Sequence, residues 1–224
     1  MASGWSVEFA RGSAEDLLQR PIGPGRTVRT NEVLDDAVVL GSRQPESDLC
    51  GDAARRCGLS VVRRRSGGGA VVLQRESHVW IDVFVPRGDP LWDDDVERSA
   101  WWVGEWWSAV CGEGATVHRS SLVDRALGSV ICFASTGPGE VLDQRCRKVV
   151  GISQRRTRSG ARFQTIAHLR WDPPLVVDLV ADPDLRRILA PVLEHRVGPV
   201  GGGNGGLSGV ADGLIEQLIG GLPP

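Results

Sequence analysis

Arg63-Arg-Arg-Ser-Gly-Gly-Gly-Ala-Val71 is the run that most restricts what this chain can fold into. A basic strand end passes through three consecutive glycines and enters a new apolar strand. Three glycines suit neither a helix nor a strand, so the unit is strand, loop, strand, with a backbone free to approach another chain segment or a ligand closely. The runs on either side agree. Ala37–Leu40, Ser60–Arg63, Ala70–Leu73 and the alternating Val79–Val85 read as strands, and a helix at about 47–57, opened by Ser47, separates the first two.

Elsewhere the local signals interleave helices with further strands. Ser13-Ala-Glu-Asp16 has the form of a capping box and predicts a helix at about 14–20, before the breaker run Pro21-Ile-Gly-Pro-Gly25. Asp93-Asp-Asp95 places carboxylates where a helix dipole favours them and predicts a helix to about Cys111. Trp101, Trp102, Trp106 and Trp107 recur there on one face, which is the pattern of core packing. Strands are expected at 115–118, 129–134, 147–153 and about 162–169, then a helix at about 184–190. Gly198–Gly206, with six glycines, reads as a linker to a short, detachable helix at about 207–219. The expected division is a main domain over 1–197, a Gly-rich linker over 198–206 and a short C-terminal helix over 207–224. The class is α/β or α+β with a mixed sheet.

Composition narrows the functions available. A net charge of −2 over 224 residues argues against a general polyanion binder. No stretch of about 18 apolar residues exists to cross a membrane. Met1–Arg11 lacks the apolar core of a secretion signal, so a cytoplasmic location is expected. Cys50, Cys57, Cys111, Cys132 and Cys146 form an odd set with no CxxC pair, which favours neither a disulfide framework nor a zinc site. His78, His118, His168 and His195 have no metal-ligand spacing, so no metal site is expected.

One cation stands apart. Of the 26 basic residues 25 are arginine, and Lys148 is the single lysine. Its ammonium is a compact point charge on a thin stem, able to enter a narrow pocket where the guanidinium fork does not fit. It opens the apolar run Arg147-Lys-Val-Val-Gly-Ile-Ser-Gln154. The glycine run alone is equally a plain hairpin: no GK[ST] follows it, and no helix follows to make it a dinucleotide fingerprint. The basic run Arg145, Arg147, Arg155, Arg156, Arg158, Arg162 suits phosphates or an acidic carrier. It lacks the interleaved aromatics of a nucleic-acid site.

Taken together, RRRSGGGAV and, about 80 residues on, RKVVGISQ resemble the catalytic domain shared by lipoate–protein ligases, octanoyltransferases and biotin–protein ligases, the lipoate–protein ligase A branch above all. Val38-Val-Leu-Gly-Ser-Arg-Gln44 resembles the segment preceding the glycine motif in that family. The resemblance implies a mixed, largely antiparallel central sheet flanked by helices, as in class II-synthetase-like ligases. It implies activation of lipoate or octanoate by ATP with Mg2+ as an acyl-adenylate, then transfer to a lysine of a carrier domain. The partners implied are the lipoyl domains of 2-oxoacid dehydrogenases, the glycine cleavage H protein and, as a donor, acyl carrier protein. Neither nucleic acid nor membrane is implied.

On that resemblance Lys148 stabilises charge on the phosphate and acyl oxygens. Gly67, Gly68 and Gly69 wrap the adenylate or acyl chain, Arg64 or Arg65 lies near the carboxyl end, and Ser66, Ala70, Gly151 and Ser153 complete the substrate-binding positions. Cys132-Phe-Ala-Ser-Thr-Gly-Pro-Gly-Glu140 resembles the CFxxPSxYE stretch of one octanoyltransferase branch, which would make Cys132 an acyl-accepting nucleophile needing no ATP. Cys146, two residues before Lys148, is a further cysteine on the same side of a regular strand. Departures are evident too. The family's His-Asp and Gly-Asn positions fall on Leu73, Gln74, Glu76 and Ser77, and its His-Gly pair near Thr165 and Ile166. They leave open a third reading, a binding or regulatory homologue without turnover.

Overall fold

The computed structural model describes residues 4–200 and 207–224, so part of the expected linker lies outside the described residues. In chain order the elements are β1 (Ser6–Gly12), α1 (Ala14–Gln19), β2 (Thr27–Val33), β3 (Ala37–Leu40), α2 (Gly51–Arg56), β4 (Ser60–Arg63), β5 (Val71–Leu73) and β6 (His78–Pro86). They continue with α3 (Trp101–Ser108), β7 (Thr116–Val117), α4 (Arg125–Val130), β8 (Val141–Leu142), β9 (Lys148–Arg156), β10 (Gly160–His168), α5 (Pro173–Asp178), α6 (Pro183–Arg196) and α7 (Leu207–Gly220).

A seven-stranded sheet runs β1-β2-β6-β10-β9-β8-β7, antiparallel throughout except for the parallel pair β1 and β2. A second sheet, β4-β3-β5, carries the glycine run at its rim. The expected mixed, largely antiparallel architecture is the one observed. Register lays side chains in rows across the large sheet. Gly151, Ile166, Trp80 and Asn31 form one row, and Ser153, Gln164, Asp82 and Arg29 the next. Because side chains alternate, these two rows share a face with the following row of Arg155, Arg162, Phe84 and Thr27. That face is the floor of the site.

The opposite face packs against α3 and α7. Val103, Trp106 and Trp107 of α3 are buried with Val83, Val149 and Phe163 of the sheet and with Leu214 and Leu218 of α7. The Trp106 indole N–H donates to the Leu218 carbonyl at 2.8 Å. The terminal helix expected as detachable is thus seated on the same core as the sheet. Trp101 and Trp102 are only half-buried, so α3 offers a narrower apolar stripe than its tryptophan spacing suggested.

Several local expectations are corrected. Residues 129–134, expected as a strand, are instead the end of α4 followed by a 3-10 turn over Cys132–Ala134. The Asp124 carboxylate caps that helix by accepting from the Leu127 N–H, a side-chain signal that outweighs a two-residue β-branched run. The helix expected at 47–57 is split: Glu46–Asp48 forms a 3-10 turn, the Cys50 N–H is taken by the Leu179 carbonyl, and the α-helix spans only Gly51–Arg56. The 93–111 helix begins at Trp101 after a 3-10 turn and ends at Ser108. The acidic residues precede it, with Asp95 accepting from the N–H groups of Glu97 and Arg98. β1 and β2 carry no strong apolar alternation and were not expected.

Candidate active site

Lys148 is the first residue of β9 and is 1% exposed. An ammonium so deeply buried must spend every N–H, and this one does. Its Nζ donates to the Cys132 carbonyl at 2.9 Å and the Ser135 carbonyl at 2.9 Å, and it pairs with Glu140 Oε2 at 2.7 Å. The ammonium also lies 4.7 Å from the centre of the Phe133 ring. Glu140 is equally engaged: Oε2 accepts from the Gly137 N–H and Oε1 from the Ile152 N–H. Gly151 makes room for this packing, since a Cβ there would lie 3.0 Å from the Phe133 ring and 3.5 Å from Lys148 Cε.

Gly68 and Gly69 of the run, and Gly41 beside it, sit where a side chain is opposed, while Gly67 has open space around it. A Cβ on Gly41, at the end of β3, would sit 1.8 Å from the Gly68 carbonyl oxygen, and one on Gly69 would meet Val130 at 2.6 Å. Gly68 has φ of +93°, which a side chain would oppose. The Gly69 and Ala70 N–H groups donate to the carbonyls of Gly128 and Val130, tying the loop to α4. Among the described residues no protein acceptor is bonded to the N–H groups of Gly67 and Gly68, and both glycines are exposed. The Ser66 hydroxyl is buried and donates to Ser153 Oγ at 3.0 Å, joining the loop to β9.

The two arginines of the run differ. Arg64 is buried, and its guanidinium donates to the carbonyls of Gly67, Gly69 and Val39, so it clips the loop from beneath. Burial lowers its pKa, and negative charge on Cys132 acts in the opposite direction. Arg65 is exposed and donates to Gln19 Oε1 at the end of α1.

Two spaces meet at this constellation. An apolar pocket, about 430 Å³ with its opening included, is walled by Leu18, Val39, Leu73, Trp80, Phe133 and Ile166. A broader mouth of about 1000 Å³, open solvent included, carries Glu97, Ser135, Glu140, Lys148 and Gln154 beside Gly67, Gly68 and the apolar Val96, Leu122 and Pro138. Cys132, Ile152 and Ser153 line both. An apolar cavity with a few convergent polar groups at one end suits a small molecule with an apolar body and a polar head.

The structure therefore brings together Lys148, Cys132, Gly67, Gly68, Ser153, Arg64 and Gly151 at the two spaces, with Ser66, Gly69 and Ala70 holding the loop behind them. It does not bring Cys146. That residue lies in the turn before β9 with φ of +58° and is exposed, because the chain has not yet entered the strand. Thr165 is also apart from the site, its hydroxyl bonded to the Ile81 carbonyl. Burial pushes the Cys111 thiol up to about 12, so it is held as a neutral core group.

Sequence reasoning passed over Glu140 and Gln164. Glu140 had a signal: a lone buried lysine requires a carboxylate nearby, and this one lies in the segment already singled out. His168 is buried at the end of β10, its ring 4.6 Å from that of Phe133 and 4.9 Å from that of Trp171. Burial, with smaller contributions from His78 and Lys148, pushes its pKa down to about 3, so it is a neutral packing group behind the site.

Comparison with known proteins follows the same line. The family model for the lipoyl protein ligase A/B catalytic domain matches residues 15–183. Among solved structures, a bipartite lipoate protein ligase from Thermoplasma acidophilum, from a study with its E2 lipoyl domain, superposes with a TM-score of 0.70 at 15% identity, covering 96% of this chain and 80% of that one. Lipoate-protein ligase A bound with ATP gives 0.65 at 16% identity, over 88% of this chain and 72% of that one. A Plasmodium falciparum protein in complex with lipoate gives 0.63 at 12% identity, over 97% of this chain and 62% of that one. No curated protein matches at the sequence level.

Proposed function

The chain belongs to the lipoyl protein ligase A/B catalytic-domain family, a family of enzymes, and from that premise we propose that it transfers a lipoyl or octanoyl group to a lysine of a carrier domain. The observation that carries this reading is the meeting of an apolar pocket and a broader mouth at Cys132, Ile152 and Ser153. The lining of the apolar side suits the chain of a medium acyl group, which would leave its carboxyl carbon at the junction.

In the first route the bound carboxylate attacks the α-phosphorus of ATP and pyrophosphate leaves. The acceptor amine then attacks the acyl carbon, and AMP departs. The free N–H groups of Gly67 and Gly68 are suited to phosphate oxygens. Lys148 would steady charge on the acyl oxygen once one of its carbonyl partners gives way. Magnesium would arrive with the triphosphate; among the described residues no three His, Cys, Asp or Glu side chains converge as a metal cage.

A second route is favoured by the charges in the mouth. Lys148 is neutralised by Glu140, the remaining charged residue of its lining is Glu97, and no arginine lines it, which suits an uncharged thioester donor better than a triphosphate. Cys132, on both spaces, would attack the donor thioester and release the donor thiol. The acceptor amine would then displace Cys132 from the acyl-enzyme.

The deciding experiment incubates the protein with a lipoyl domain and either ATP plus lipoate or octanoyl-loaded acyl carrier protein, with intact masses read for every species. Modification that needs ATP assigns the first route. An enzyme thioester absent in Cys132→Ser assigns the second. A lipoyl domain unmodified by either donor overturns the proposal and leaves a binding protein that keeps the pocket.

A further inference from the structure

Three successive cross-strand pairs on the site face of β9 and β10 change character step by step. Gly151 and Ile166 are opposite each other on the apolar floor, Ser153 and Gln164 at the polar junction, and Arg155 and Arg162 beyond them. Two guanidinium-bearing residues directly opposite each other oppose pairing unless charge nearby compensates them. Arg162 is compensated: its Nη2 lies 2.5 Å from the buried carboxylate of Asp82. Arg155 is exposed and has no carboxylate partner among the described residues.

Two more arginines gather at the same place, around the C-terminal end of α1. Arg162 donates to the Arg20 carbonyl at 3.1 Å, and Arg65 donates to Gln19 Oε1 at 2.8 Å. Arg20 and Arg65 are exposed, and neither is in an ion pair among the described residues. Beside the site, beyond the lining of either space, Arg20, Arg65 and Arg155 thus form an uncompensated rim on a chain whose net charge is −2. The positive charge here is local, not an excess spread over the surface.

We propose that the rim formed by Arg20, Arg65, Arg155 and Arg162 is the docking surface for the acceptor carrier domain, and that it recognises acidic residues flanking the acceptor lysine. This rests on the acyl-transfer reading and names how its protein substrate is chosen. Exposed complementary charges raise the encounter rate and set orientation more than they raise final affinity. The same positive rim disfavours a protonated acceptor amine beside it, which helps supply the neutral amine that attacks the acyl carbon.

The test uses the full chain and an isolated lipoyl domain with acidic residues beside its lysine, alongside the same domain with those residues changed to Asn and Gln. Binding is measured by calorimetric titration at low and at high salt, and acyl loading of the enzyme is measured separately with no carrier acceptor present. The double variant Arg20→Glu, Arg155→Glu, which spares the glycine run, is expected to weaken binding of the acidic domain about tenfold and to flatten its salt dependence. Acyl loading should be unchanged. Equal binding of the acidic and neutralised domains, or wild-type binding by the double variant, overturns the proposal. Absence of acyl loading in the wild type would sink the acyl-transfer reading instead, while the binding arm still decides the role of the rim.

Discussion

Lys148 and Glu140 form a buried ion pair, Nζ to Oε2 2.7 Å, in which the ammonium has no N–H left over and the carboxylate takes two backbone N–H groups as well. The lysine that stands alone in the composition is therefore one half of a matched unit. Any ligand group that bonds this ammonium has to displace a carbonyl, from Cys132 or Ser135.

Breaking that unit from the carboxylate side is expected to be expensive. Glu140→Gln leaves a buried ammonium without its counter-charge, and a loss of about 3–5 kcal/mol is expected in denaturant unfolding. Lys148→Arg should remain folded and lose acyl loading, because the planar fork does not reproduce the three donor directions. Retained loading in that variant would remove Lys148 from the chemistry.

Space for the glycine run is set from outside it. Gly41→Ala drives a methyl into the Gly68 carbonyl and is expected to cost at least about 1–3 kcal/mol and to abolish acyl loading. Gly213→Ala, in α7 with open space around it, serves as the contrast and should stabilise by about 0.5–1 kcal/mol. Thermal melts of the two variants check both signs.

Acid should unfold the protein through the buried His168 and the half-buried His78. His168 is held at about 3 and His78 at about 4, in each case chiefly by burial, so the native state excludes protons that the unfolded chain takes up near 6.5. Stability is level above about pH 6.5 and falls as pH drops from there toward 4. His168→Phe, which keeps a ring against Phe133 and Trp171, should give a shallower decline in pH-dependent melts.

The C-terminal helix should behave as core. Leu218 is fully buried against the α3 tryptophans, and Leu218→Ala is expected to destabilise by about 2–5 kcal/mol. Removal of residues 207–224 would expose the side of α3 that Leu214 and Leu218 cover, and should reduce soluble yield.

Wherever a local rule carried the information, the sequence alone was enough. The three glycines implied strand, loop, strand; the alternation at Val79–Val85 implied β6; Ser13 and Asp16 implied α1, whose cap they form. Arginine bias isolated Lys148 before any neighbour was known. Tertiary structure decided the rest, because those outcomes depend on groups distant along the chain. The bend at Cys132 turns a strand-like run into a helix end, since Asp124 caps α4 and Ala70 claims the Cys132 N–H. Arg64, one of many arginines by sequence, becomes the clip of the loop, and Glu140 becomes the counter-charge of the lysine. Arg155 and Arg162 become a rim only when register sets them opposite each other. Burial and pairing are properties of surroundings, which is why a residue's type could be read from the chain while its charge partner had to be seen.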